Sequence, residues 1–79
     1  MLEENKYCKY KYRNGREYNN LKDAMVACGK NSRCIAIDDR GCNKKGEIWL
    51  CLNFKGVRKR KRSCLYRKAS GNFDTQTPF

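Results

Sequence analysis

From Tyr7 to Tyr12 the chain alternates strictly: Cys8, Tyr10 and Tyr12 fall on one face, Lys9 and Lys11 on the other. A period of two marks a half-buried strand. Arg13-Asn14-Gly15-Arg16 follows, and Asn-Gly is a strong hairpin signal because both central residues tolerate positive φ. A return strand is therefore expected to begin at Glu17-Tyr18. The period then changes. Leu21, Ala24, Met25 and Cys28 stand at helical spacing and form the apolar stripe of a short helix. Asn20 suits the N-cap, Asp23 completes a capping-box-like pair and complements the dipole, and Gly29 suits a left-handed C-cap residue.

Arg33-Cys34-Ile35-Ala36-Ile37-Asp38 is an apolar run bounded by turn residues, which predicts a strand. Asp38-Asp39 reads as the start of a turn, and residues 41–46 as a loop. The most apolar stretch, Glu47 to Phe54, is expected to be the central strand, covered on both faces. Trp49 within it reads as packing, as does Met25 on the helix. Lys55 to Arg62 reads as a basic loop and Ser63 to Lys68 as a last strand. Residues 1–6 look like a charged, flexible lead. Residues 69–79 are polar, hold the only proline and read as a C-terminal tail. There is no internal repeat and no N-x-S/T sequon.

The six cysteines, Cys8, Cys28, Cys34, Cys42, Cys51 and Cys64, sharpen this picture. The count is even, no spacing is C-x-x-C, and the chain has no histidine, so a zinc site is disfavoured and three disulfides are expected. Spacing alone leaves 15 connectivities open. A chain of 79 residues with 39% apolar content buries only about 60–65% of its unfolded surface, so covalent staples are physically motivated. Disulfides persist in oxidising compartments, which points to a secreted or extracellular protein. No apolar run approaches the ~18 residues of a membrane span, and the first residues are too short and charged for a secretory h-region.

The net charge is +11, and no acidic residue lies between Glu47 and Asp74. That interval carries Lys55, Arg58, Lys59, Arg60, Lys61, Arg62, Arg67 and Lys68. A field of this sign favours acidic partners. Dense arginine and lysine offer charge-assisted donors to sulfate or phosphate, with Phe54 and Tyr66 near in sequence, and Lys44 and Lys45 as auxiliary cations. The run from Arg58 to Ser63 also resembles a site cut by furin-like convertases. Catalysis has little basis. There is no histidine for a triad, no phosphate-cradling glycine loop and no unpaired thiol beside a base, and Asp38 and Asp39 point to opposite faces of a strand. No catalytic residue, metal ligand or cofactor is assigned.

The order of elements resembles the PAN/apple family. The resemblance is carried by the Cys-bearing first strand, Leu21-Lys22-Asp23-Ala24-Met25-Val26-Ala27-Cys28, Cys34-Ile35-Ala36-Ile37, Trp49-Leu50-Cys51 and Ser63-Cys64-Leu65-Tyr66-Arg67-Lys68. It covers residues 7–68 and implies an α+β domain, one helix packed on an antiparallel sheet. It further implies the pairs Cys8–Cys64, Cys28–Cys51 and Cys34–Cys42. Family members are extracellular modules that bind proteins or carbohydrates. The expectation is a secreted, monomeric, non-catalytic module whose basic segment engages a sulfated, heparin-like glycan or an acidic protein surface. Nucleic acid is disfavoured by the disulfides. A cationic toxin or defence peptide acting on an ion channel or anionic membrane is the alternative.

Overall fold

In a computed structural model, which describes residues 2–68, one helix packs on a five-stranded antiparallel sheet. The α+β architecture is the expected one. The strands are β1 (Leu2–Cys8), β2 (Arg13–Asn20), β3 (Ala36–Asp39), β4 (Lys45–Cys51) and β5 (Val57–Arg67), and the helix α1 is Leu21–Lys30. Their order across the sheet is β1-β5-β3-β4-β2.

The helix begins as its sequence dictates. Asn20 Oδ1 accepts from the Asp23 N–H at 2.8 Å, and Asn20 Nδ2 donates to Asp23 Oδ2 at 3.1 Å. Leu21, Ala24 and Cys28 are buried, with Met25 packed beside them. Gly29 is not the C-cap. The helix runs through Lys30 to Asn31, and Lys68 Nζ donates to the carbonyls of Cys28 at 2.8 Å and Asn31 at 3.0 Å. A lysine distant in sequence thus satisfies carbonyls at the helix end, the role expected of a left-handed C-cap turn.

Several other expectations are corrected. The charged lead is strand β1 from Leu2, where backbone pairing with β5 supplies the order that its apolar content does not. The first alternating strand stops at Cys8, because Tyr10–Tyr12 forms a 3₁₀ turn with the Lys9 N–H on the Gly56 carbonyl at 2.8 Å. Asn14-Gly15 makes no hairpin. It lies inside β2, where Arg13 opposes Cys51 and Glu17 opposes Trp49, so Asn14, Gly15 and Arg16 bulge opposite Leu50. The central strand is β3, all four of whose residues are buried, and β4 lies beside it. Asp38 is therefore an interior strand residue, while Asp39 ends β3 and opens the expected turn, its carbonyl accepting from the Cys42 N–H at 3.1 Å.

The cysteines are bonded as Cys8–Cys51, Cys28–Cys34 and Cys42–Cys64, so none of the implied pairs Cys8–Cys64, Cys28–Cys51 and Cys34–Cys42 is present. The reason is positional. Cys28 lies in the last turn of the helix, with its Cα 5.3 Å from that of Cys34. The Cys8 side of β1 instead lies on the sheet face away from the helix, in a small buried cluster with Ala36, Cys51 and Leu65. The sheet thus has two covered faces. Tyr18, Leu21, Ala24, Ile37, Ile48, Leu50 and Tyr66 fill the helix side. The far ends of β1 and β5, with the 3₁₀ turn, cover the other. Gly56 is needed there, since a β-carbon on it would stand 2.6 Å from Cδ2 of the Tyr12 ring.

Candidate polyanion-binding face

The basic segment is not a loop. It is the first half of β5, and it pairs with β1: Cys8 opposes Val57, Tyr7 opposes Arg58, and Lys6 opposes Lys59. Pairing resumes with Glu4 opposite Cys64. Arg60, Lys61, Arg62 and Ser63 therefore stand opposite Asn5 alone, and the excess chain is extruded as a bulge. Asn5 (φ 61°) and Arg62 (φ 69°) take the left-handed backbone that the bend requires, and Asn5 Oδ1 accepts from the Arg62 N–H at 3.2 Å. Arg58 to Arg62 are all exposed. Ser63 then turns inward, is 1% exposed, and donates its hydroxyl to the Arg40 carbonyl at 2.9 Å.

This pairing brings a second group of cations to the first. A cleft of about 420 Å³ is lined by Tyr7, Lys9, Tyr10, Lys11, Arg13 and Arg60. The Arg60 guanidinium lies 5.4 Å from the centroid of the Tyr7 ring, while Tyr10 is 80% exposed. Arg13 is held from two sides. Its guanidinium is 4.1 Å from the Trp49 ring centroid, a stacking geometry, and Nη1 is 3.8 Å from Asp38 Oδ2. Trp49 thus packs as expected, and its outer face orients a cleft cation.

Asp38 is 1% exposed, and its Oδ1 has no hydrogen-bond partner. Burial pushes its carboxyl up to about 6, against the lowering effects of the Cys8 backbone N–H, Arg13 and Arg60. Desolvation wins because the nearest cation is at the long end of ion-pair range. Asp39, on the helix side, accepts from the Lys44 N–H at 2.8 Å. Burial, followed by the charge of Asp39, raises the Tyr66 phenol.

The expected site residues divide into two groups. On the β1–β5 ribbon, Arg60 lines the cleft with Lys9, Lys11 and Arg13, Lys59 opposes Lys6, and Lys61 and Arg62 are exposed. Arg58 is exposed there too, although Nη1 donates to the Lys55 carbonyl at 2.7 Å and the Val57 carbonyl at 2.9 Å. Lys55 is exposed on the short turn Phe54–Gly56. Arg67 and Lys68 belong elsewhere. Arg67 pairs with Glu3 and stacks 4.4 Å from the Phe54 centroid, and Lys68 caps the helix. Lys44 and Lys45 lie by the start of α1, where the Leu21 N–H meets the Lys44 carbonyl.

Sequence reasoning missed Tyr7, Lys9, Tyr10, Lys11 and Arg13 as site residues. Their signal was present as aromatic and basic side chains interleaved before Asn14. Among the described residues no helix is long and apolar enough to cross a membrane. Comparison of the chain with protein-family models, with curated proteins and with solved structures finds no match.

Proposed function

We propose that this domain is a secreted, non-catalytic binding module that engages a sulfated glycan, or an equally acidic protein surface, through its β1–β5 ribbon. One observation supports the reading: the ribbon sets Lys59 opposite Lys6, and Arg60 from its bulge lines one cleft with Lys9, Lys11 and Arg13. Like charges repel, so gathering them on one face costs stability that an anionic partner returns. Three disulfides in so small a domain fit an oxidising, extracellular setting. Kinship with the PAN/apple family is supported by the helix on an antiparallel sheet, and its disulfide scheme departs from the one that resemblance implied. Large exposed apolar residues (Leu2, Tyr10, Val26 and Phe54) are spread over separate elements, which favours a polyanion partner over membrane insertion.

The test is retention on heparin with salt elution. Arg58, Lys59, Arg60, Lys61 and Arg62 replaced together by Gln should elute at much lower salt, since each lost contact removes released counterions. The matched control replaces Arg16, Lys22, Lys30, Arg33 and Lys45, which lie away from the ribbon, and should elute nearly as the parent. Equal losses in both would reduce the effect to net charge. No loss in either would refute glycan binding and favour the toxin-like alternative.

A further inference from the structure

We infer that the cleft between the Tyr10–Tyr12 turn and β5 is a discrete subsite for a single sulfated disaccharide unit, an inference that rests on the polyanion reading and refines it. The cleft's volume, about 420 Å³, falls within the roughly 300–1,000 Å³ of small-ligand sites, so it holds a short saccharide rather than a length of polymer. Its cations surround the space from different elements. Lys9 and Lys11 come from the segment after β1, Arg13 from β2 and Arg60 from β5. Four cations outnumber the charge of a single sulfate, and a sugar unit with several anionic groups matches them better.

The cations also differ in kind. Arg13 is fixed between Trp49 and Asp38, so its planar fork is pre-organised and loses little freedom on binding. Lys9 and Lys11 are exposed and adapt to the position of the charge. Tyr10, 80% exposed at the rim, offers an uncovered ring to the apolar C–H face of a sugar. Arg58, Lys59, Lys61 and Arg62 do not line the cleft. They are exposed cations that suit long-range attraction, while the cleft suits recognition.

The experiment is an NMR titration of the oxidised protein with a fully sulfated heparin disaccharide, backed by calorimetry. Saturable shifts at Tyr7, Tyr10 and Arg13 are expected. Tyr10→Ala, and separately Lys9→Gln with Lys11→Gln, should each weaken the disaccharide about tenfold, the loss of one good charged or stacking contact. These positions are exposed, and a dispersed spectrum matching the parent's is the check that each variant is folded. A variant with Arg58, Lys59, Lys61 and Arg62 changed to Gln should keep disaccharide affinity within about twofold while losing retention on long heparin. The unsulfated disaccharide, inorganic sulfate alone and a sulfotyrosine peptide should each bind far more weakly. Equal binding of any of these would overturn the assignment. If the disaccharide causes no saturable shift while long heparin is still retained, the subsite is wrong and the polyanion reading survives. If long heparin is not retained either, both fail.

Discussion

Arg13 and Asp38 face each other across the sheet at 3.8 Å, one lining an open cleft and the other 1% exposed behind it. The pair joins a surface cation to a buried acid whose protonation falls within an accessible pH range. Two predictions come from that arrangement.

The first concerns stability. The Asp38 carboxyl sits at about 6 in the fold, against roughly 3.9 in an unfolded chain. The native state therefore holds this proton more firmly than the unfolded state. The stability it contributes is full below pH ~4 and is lost as pH rises through 6, amounting to roughly 3 kcal/mol. Asp38→Asn, which imitates the neutral acid, should match the parent near pH 4 and exceed its melting temperature at pH 7. Melting curves of both proteins across that interval provide the check. A constant gap between them would show that Asp38 does not titrate as stated.

Anion affinity should follow the same proton. Below pH 6 a neutral Asp38 no longer balances Arg13, and the cleft gains positive potential while sulfate esters stay ionised. Affinity for the sulfated disaccharide should rise by roughly three- to tenfold from pH 7 to pH 5. Asp38→Asn should bind tightly at pH 7 and show a nearly flat profile. Calorimetry at both pH values measures this, and a flat parent profile would sink it.

The disulfides should contribute unequally. Their sequence separations are 43 for Cys8–Cys51, 22 for Cys42–Cys64 and 6 for Cys28–Cys34. Loop-closure entropy then assigns about 4, about 3 and about 2 kcal/mol respectively. Replacing each pair by alanines and comparing denaturant midpoints should give that order. Non-reducing peptide mapping should recover these three links.

The peptide bond after Arg62 should resist a furin-like convertase in the folded protein. Such a protease needs an extended, accessible segment on both sides of the bond. Arg62 has a left-handed φ of 69°, and Ser63 and Cys64 are buried in the sheet. Cleavage then waits on local opening. Mass spectrometry should find this bond intact in the oxidised protein and cut after reduction and unfolding. Rapid cutting of the native form would contradict the buried position of Ser63.

The parts that were legible in the chain were those written locally. The Asn20 cap and the Leu21–Cys28 stripe depend on neighbours a few residues away and are found where expected, while the Arg33–Asp38 run holds a strand that begins only at Ala36 and extends to Asp39. What was not legible depends on partners distant in sequence. β1 looks like a solvated lead because its order comes from β5, some sixty residues later. Gly29 looks like a helix stop, yet the stop is supplied by Lys68. The cleft was missed for the same reason. Tyr7, Lys9 and Lys11 read as one half-buried strand until Arg60 is seen across from them. Arg67 and Lys68, by contrast, were included as ligand contacts because charge alone does not reveal an intramolecular partner.

The antiparallel match of Leu2 with Tyr66 sets the outer ends of the described chain side by side. Adjacent ends make a domain portable. A short linker can close residues 2–67 into a ring with little loss of freedom, and the ring can be reopened at the Ser32-Arg33 turn or spliced into a surface loop of an unrelated host.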